Sequence, residues 1–276
     1  MRNKYLVKEL LKEIVTRLEA HIPRAPREAQ LFLMAYLEVD ELWLITHQSY
    51  EVSDTKRLFE WVDRRAKNEP FEYIVKSVSF YSEEFFIAEG ALIPRPETEL
   101  LIDEVIKHYP NKEANITFVE VGVGSGIISI MLAKHFTNAR FIGVDISQEA
   151  LYIAKINIEK FDLSERIELR FGSLLEPVSE KIDFLVSNPP YIEEGVVLES
   201  NLSYEPQNAL YGGKIGDEII KELLDAVLTR EIRFFSCEMG YDQKDKIRAY
   251  LENKKYKCLE FYQDLSGFDR GFTLKV

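Results

Sequence analysis

Leu6, Leu10, Leu11, Ile14 and Leu18 recur at three- and four-residue steps with Lys and Glu between them, the spacing of one apolar helix face. Pro23 and Pro26 interrupt the pattern, and a second helix is predicted from about Glu28, carrying Leu31, Phe32, Met34, Ala35 and Leu37. A third short piece starts at Asp40, and Asp54 is placed to cap a fourth helix bearing Leu58, Phe59, Trp61 and Val62. Residues 1–70 therefore read as a small helical bundle, with no side chain that obviously does chemistry.

After Pro70 the texture changes. Phe80-Tyr81 and Phe85-Phe86-Ile87, on either side of Ser82-Glu83-Glu84, predict two short strands around a turn. Gly90, Pro94 and Pro96 then break regularity before a helix near Glu97. Residues 71–95 are thus expected to be a β-hairpin linker between two domains, the second spanning 96–276. In that second stretch apolar β-rich runs lie at 116–121, 140–144, 167–171, 182–187, 232–238, 257–261 and 271–276, most of them separated by helical patterns such as 127–135 and 148–161. Strand–helix alternation of this kind predicts an α/β fold, a parallel sheet covered on both faces. Only a loop containing Gly267 separates the last two strands, so an antiparallel strand is expected to close one sheet edge.

Composition narrows the function. A 46% hydrophobic, 30% charged chain of 276 residues is an ordinary globular balance. Thirty-five basic against forty-seven acidic side chains give a net charge of −12, which weakens any reading in which the whole surface clamps a phosphate backbone. Cys237 and Cys258 lack CxxC spacing, and the four histidines form no ligand pattern, so neither a disulfide framework nor a zinc knuckle organises the fold and no metal site is expected. There is no apolar run of the ~18 residues that span a bilayer, and residues 1–13 lack a signal-peptide core. The expectation is a soluble, cytoplasmic protein.

Three motifs end strands of this second stretch. Glu120 is followed by Gly122, Val123, Gly124, Ser125 and Gly126, a glycine-alternating turn that lets a ligand approach bare backbone. A dinucleotide fold wants its third glycine at 127, where Ile127 stands; the observed spacing suits S-adenosylmethionine better, a ligand without a pyrophosphate. Asp145 ends the next strand about 20 residues past the glycines, where a carboxylate can accept ribose hydroxyls; as an alternative it caps the following helix, although Ser147 fills that role more naturally. Asn188, Pro189, Pro190 and Tyr191 follow the strand 182–187. Two prolines stiffen that corner and remove two donors, leaving the Asn188 side-chain oxygen and the Pro189 carbonyl to take the two N–H bonds of a planar NH2 group. Such a clamp serves a carboxamide or an adenine amine equally, with Tyr191 covering the group or packing the substrate backbone. A fourth segment, Leu92–Glu99, precedes a helix; its Arg95 and Glu97 either dock an anion or amino group or belong to an ordinary helix start.

These residues resemble the HemK-type protein-(glutamine-N5) methyltransferases that modify peptide chain release factors. The resemblance runs through Glu69–Ile74, Leu92–Glu99, Gly122–Gly126, Asp145, Asn188–Tyr191, Tyr204–Gly213, Glu238–Gly240 with Gln243, and Asp264–Arg270. It implies a seven-stranded Rossmann-like S-adenosylmethionine-dependent methyltransferase domain behind a helical substrate-recognition domain and a hairpin. It further implies that Gly122–Gly126 line the methionine end of the cofactor, Asp145 its ribose and Ser173 with Leu174 its adenine, while Asn188 touches both cofactor and substrate. Pro189, Pro190 and Tyr191 would then hold the glutamine. Two positions depart from the pattern: Ser173 and Ile215 stand where many relatives carry an acid. The rivals are an adenine-N6 methyltransferase acting on nucleic acid, which wants a basic face with stacking aromatics, and a non-catalytic module, which would tolerate damage to the glycine or Asn-Pro-Pro-Tyr positions. A release factor is the expected partner, with no membrane and no direct nucleic-acid contact.

Overall fold

A computed structural model describes residues 4–198, 200 and 202–276, which form two compact units. Residues up to Lys76 make the first, joined by a short later segment that ends at Tyr204; residues 77–198 and 205–276 make the second.

The first unit opens on a short strand, β1 (Lys4–Leu6), followed by α1 (Val7–Leu18), α2 (Ala25–Leu37), α3 (Glu41–Thr46), β2 (Glu51–Ser53), α4 (Lys56–Arg65) and α5 (Phe71–Val75). Val7, Leu10, Ile14 and Leu18 are the buried stripe of α1, meeting Phe32, Leu33, Leu58 and Val62 in the core. Glu9 starts α1 by accepting the Leu6 N–H at 3.0 Å, and Asp40 starts α3 by accepting the Trp43 N–H at 2.7 Å. Several sequence expectations are corrected here. Helix α2 begins three residues before Glu28 and takes Pro26 into its first turn, where a missing N–H costs nothing. Asp54 caps nothing: it has φ 55°, and α4 starts at Lys56 without a side-chain cap. The strand pair β1–β2 was not legible, and residues 71–75 are a helix of this unit rather than part of a hairpin.

The second unit begins with a hairpin, β3 (Ser77–Phe80) and β4 (Glu83–Phe86). Its turn is Tyr81-Ser82, both at positive φ (54° and 61°), one register earlier than the sequence suggests. Glu99 accepts the Tyr81 N–H at 2.7 Å, and buried Asn157 grips Phe86 through its N–H (2.7 Å) and C=O (2.9 Å). The same Asn157 donates to Ser125 O at 2.8 Å, so the hairpin is tied to the glycine turn.

The main sheet follows: α6 (Thr98–His108), β5 (Thr117–Val121), α7 (Ile127–His135), β6 (Arg140–Asp145), α8 (Gln148–Lys160), β7 (Ile167–Phe171) and β8 (Phe184–Ser187). A small parallel pair, β9 (Ile192–Glu193) and β10 (Tyr211–Gly213), precedes α9 (Glu218–Thr229), β11 (Phe234–Glu238), α10 (Lys244–Leu251), β12 (Cys258–Gln263) and β13 (Asp269–Lys275). The seven-stranded order is β12-β13-β11-β8-β5-β6-β7. The one antiparallel insertion is β13, which lies between β11 and β12 and so is not the edge strand; β12 is. Aromatic rings in register bind neighbouring strands: Phe118 stacks on Phe141 (4.8 Å) and Phe184 (5.2 Å), and Phe184 on Phe234 (5.4 Å). Each such pair adds ~0.5–1.5 kcal/mol beyond burial. Cys237 on the central strand β11 is buried, whereas Cys258 on the edge strand is exposed. Among the described residues no helix is long and apolar enough to cross a membrane.

The chain winds outward from β5 through β6 to β7, then returns to β8 on the other side of β5. Strand order reverses there, and in open α/β sheets that reversal opens a crevice at the carboxyl ends of the strands. Val121, Asp145 and Ser187 end their strands beside it, and so place the three motifs around one opening.

Candidate active site

A cavity of about 320 Å³ occupies this crevice, within the size range of small-ligand sites. On the β5 side the turn into α7 holds Gly122, Gly124 and Gly126 at φ 74°, 54° and 84°, a region that L side chains enter at ~1–2 kcal/mol each. Gly122 and Gly124 line the cavity with Val123 and Ser125. A Cβ added at either glycine would meet only a carbonyl oxygen, at 3.8 or 3.9 Å, so the bare backbone serves the open space rather than internal packing. Gly126 does not line the cavity. It caps α7, where a Cβ would come within 3.3 Å of Ala154.

Two carboxyl groups flank the turn. Asp145 accepts the Gly124 N–H and the Ser147 N–H, each at 2.9 Å, and burial raises its pKa against the lowering pull of those bonds. Capping of α8 falls to Ser147, which accepts the Ala150 N–H at 3.1 Å, leaving Asp145 at the cavity. Glu120 is 2% exposed and takes both the Ser129 N–H (2.8 Å) and the Ser129 hydroxyl on Oε2. No described residue donates to its Oε1. Burial pushes its pKa up to about 8; the Ser129 bonds oppose that rise and the nearby Asp145 charge adds to it.

Opposite the glycines, β8 delivers Asn188. Ser187 pins the strand end by donating to Val121 O at 2.7 Å. Asn188, Pro189 and Pro190 line the cavity, whereas Tyr191 packs against the core behind it. Asn188 Nδ2 donates to Thr98 Oγ1 at 3.1 Å, and Thr98 donates in turn to Glu238 Oε2 at 2.8 Å. The Tyr191 hydroxyl reaches Glu238 Oε1 at 3.3 Å. Burial raises the pKa of Tyr191, and it lifts that of Glu238 to about 7. Asn188 therefore turns its NH2 to Thr98, giving it one of its two N–H bonds, which leaves its carbonyl oxygen for the cavity it lines.

The loop behind this corner is held by backbone contacts that explain two other segments. A Cβ at Gly212 would lie 2.4 Å from Pro190 O, and one at Gly216 2.6 Å from Tyr191 O. Gln243 donates to Tyr191 O (3.1 Å) and Gly216 O (2.9 Å) while accepting the Gly240 N–H (3.0 Å). Ile215 is half exposed, and its N–H goes to Glu218 at 3.0 Å. The segment before α6 is tied to a later one: buried Glu205 pairs with Arg95 at 2.5 Å and accepts the Ile93 N–H at 3.1 Å, and Arg95 lines the cavity. Glu97 faces Arg270 at 3.6 Å. Ser173 and Leu174 line the cavity beyond Asp145, with Ile146 beside them.

Thr98 and Glu238 lie in segments that carry the family resemblance, but the sequence alone gives them no role. The available signal was positional. Cys237 pairs with Ser187, which sets the acid ending β11 level with the Asn following β8.

Comparison with known proteins gives a consistent picture. The family model described as PrmC N-terminal domain matches residues 9–75, and that described as Methyltransferase small domain matches residues 96–205. The release factor glutamine methyltransferase of Dictyoglomus turgidum is 40% identical over 250 residues, covering 88% of this chain and 88% of its own. That of Koribacter versatilis is 34% identical over 274 residues, covering 96% of each. Among solved structures, the hMettl16 catalytic domain in complex with a MAT2A 3'UTR hairpin superposes with TM-score 0.59 at 14% identity, covering 88% of this chain and 90% of that one. At that identity the likeness concerns the fold alone.

Proposed function

The chain belongs to the release factor glutamine methyltransferase family, and from that premise we propose that it moves a methyl group from S-adenosylmethionine to the side-chain amide nitrogen of a glutamine in a peptide chain release factor. The observation that carries the substrate reading is the Asn188 corner. Its side-chain NH2 is engaged by Thr98, its oxygen is left for the cavity, and the following Pro189 has a carbonyl but no N–H to offer. Two acceptors at one corner suit the two N–H bonds of an NH2 group.

The cavity suits the cofactor on its own geometry: two left-handed glycines open onto space that a Cβ would fill. Gly122, Val123, Gly124 and Ser125 would hold the methionine end, with Gly126 holding α7 close behind them and Glu120 Oε1 facing the ammonium. Asp145 would take the ribose hydroxyls, and Ser173 and Leu174 would border the adenine. When bound, S-adenosylmethionine supplies an electrophilic methyl: its carbon–sulfur bond breaks with the pair going to sulfur, a nitrogen–carbon bond forms, and the nitrogen's surplus proton leaves to water.

The protein's task is alignment, because an amide lone pair is delocalised into its carbonyl and nucleophilic only weakly. Asn188 Oδ1 and Pro189 O accept the two N–H bonds of the glutamine amide and so fix where its nitrogen points. Pro190 and Tyr191 keep that corner rigid. Holding two reactants in register can remove ~7–11 kcal/mol from a barrier, the main lever available here. No base has to act first, since the nitrogen becomes acidic only once alkylated.

The glutamine must reach the pocket on an exposed, flexible loop of the release factor. The helical unit, residues 1–70, is assigned the task of gripping the factor elsewhere; its self-contained core supports that division. Removing residues 1–76 is expected to raise KM for the factor steeply and leave cofactor affinity intact, and an unchanged KM would refute the assignment.

Incubation with methyl-labelled S-adenosylmethionine and, in parallel, a release factor, DNA or RNA tests the whole reading. The expected result is label on the factor, at one glutamine. Label on adenine, or on nothing, would overturn it.

A further inference from the structure

The corner that holds the substrate amide has an ambiguity built into its chemistry. A carboxamide turned over about its last bond presents NH2 where it had presented oxygen, and a donor at that position would repel the substrate's own N–H. Asn188 needs something to keep its oxygen forward. Its neighbour Thr98 cannot do this alone, because a hydroxyl both donates and accepts and would serve either orientation.

Building on the methyl-transfer reading, we propose that Glu238 is the positioning residue that sets the Asn188 carboxamide, acting through Thr98. The ionised carboxylate can only accept, so Thr98 spends its hydrogen on Glu238 Oε2 at 2.8 Å. Thr98 Oγ1 is left as an acceptor toward Asn188, which must then offer Nδ2, at 3.1 Å, and turn Oδ1 to the cavity. The second carboxylate oxygen takes the Tyr191 hydroxyl at 3.3 Å, so both ends of the Asn-Pro-Pro-Tyr corner rest on one buried group. The register supports this: β11 and β8 are paired neighbours, and Glu238 follows Cys237, the partner of Ser187. A carboxylate only 2% exposed is costly to maintain unless it is needed.

Protonation of Glu238 reverses the chain of preferences. A neutral carboxyl can donate to Thr98, Thr98 can then donate to Asn188 Oδ1, and the amide is free to turn its NH2 toward the substrate. Transfer should therefore weaken as pH falls through the titration of Glu238, which burial raises to about 7. The groups that face it are Thr98 and Glu97 at the start of α6, Tyr191, Cys237 on its own strand, Tyr262 on β12 and Arg270 on β13. Of these, Glu97 raises its pKa and Arg270 lowers it.

The test uses the full chain and four variants: Thr98→Val, Thr98→Ser, Glu238→Gln and the Thr98→Val/Glu238→Gln pair. Misplaced reacting groups cost up to about a hundredfold in rate. Thr98→Val and Glu238→Gln are each expected to lose on the order of tenfold to a hundredfold in kcat on the release factor, and the pair no more than the worse single. Affinity for S-adenosylhomocysteine should stay unchanged in all four. Thr98→Ser should recover most of what Thr98→Val loses, and the acid limb of kcat should vanish in Glu238→Gln. Multiplying losses in the pair, loss of S-adenosylhomocysteine affinity, or a Thr98→Ser as poor as Thr98→Val would overturn the proposal. A second readout needs no turnover. The Asn188 side-chain NH2 resonances in a nitrogen–proton NMR spectrum should shift on Thr98→Val and titrate with Glu238; resonances indifferent to both would refute the relay. A wild type that never methylates a glutamine counts against the substrate reading instead, and the NMR result still decides the relay.

Discussion

Replacing Glu120 with Gln should change how the stability of the ligand-free protein depends on pH. Glu120 lies at the end of β5 with its carboxyl enclosed, and its pKa is pushed from an ordinary 4.5 to about 8, mainly by burial. Between those values the folded protein keeps a proton that the unfolded chain has released. Stability falls with rising pH wherever the native state binds more protons, so the contribution of this group is complete below about 4.5 and lost on approach to 8. At ~1.4 kcal/mol per pH unit, the full loss is on the order of 5 kcal/mol. The carboxamide introduced by Glu120→Gln keeps the shape and an oxygen for the Ser129 N–H and hydroxyl, but cannot ionise. Urea unfolding of wild type and variant from about pH 5 to about pH 9 measures the difference directly. The variant should gain on the wild type by several kcal/mol across that span, most of it below neutrality and little above about pH 8. Asp145 and Glu238 also have raised pKa values, but both proteins retain them, so they largely cancel in the difference. Parallel profiles would show that Glu120 is not held protonated and would remove the argument.

Three other outcomes are expected. Asn188→Ala should lower kcat by on the order of a hundredfold while S-adenosylhomocysteine affinity, measured by calorimetry, moves only a few-fold; equal losses in both would mean its role is cofactor binding alone. Asp145→Ala removes the acceptor of two backbone N–H bonds and, on the proposed assignment, the ribose contacts, each worth ~1.5–3 kcal/mol. Cofactor dissociation constants should rise about tenfold to a hundredfold, and unchanged binding would exclude it from the ribose site. Gly143→Ala places a Cβ 2.7 Å from Val123 Cγ2 and 3.0 Å from Leu169 Cδ2 in the packed interior. It should cost ~1–3 kcal/mol in thermal unfolding and weaken cofactor binding by moving the glycine turn; a neutral substitution would show that turn to be softer than described.

Much of this architecture was legible because each central strand is a buried apolar run ended by a residue type with a job. Phe118, Phe141 and Phe184 mark the sheet, while Gly122, Asp145 and Asn188 mark its open end. The order of strands was less legible: that β13 inserts between β11 and β12 depends on which edges are left unpaired after the parallel strands assemble, and no local pattern encodes it. Strand pairs of two or three residues, β1–β2 and β9–β10, are too short to show alternation. The hairpin turn was misplaced because Tyr81 and Ser82 adopt positive φ without a glycine, supported by Glu99 and by Asp103, which accepts the Tyr81 hydroxyl at 2.6 Å. The polar partnerships behind the site were hidden by separation along the chain. Thr98 meets Glu238 across 140 residues, and Arg95 meets Glu205 across 110. Cys258 is exposed because a place on an edge strand does not guarantee burial.

The direct trial of a substrate amide seized between two acceptors is a crystal structure with S-adenosylhomocysteine and a glutamine-bearing release-factor peptide bound together. The account predicts the glutamine nitrogen within hydrogen-bond reach of both Asn188 Oδ1 and Pro189 O, facing the thioether sulfur. A glutamine held elsewhere, or Asn188 presenting its NH2 to the peptide, would contradict it.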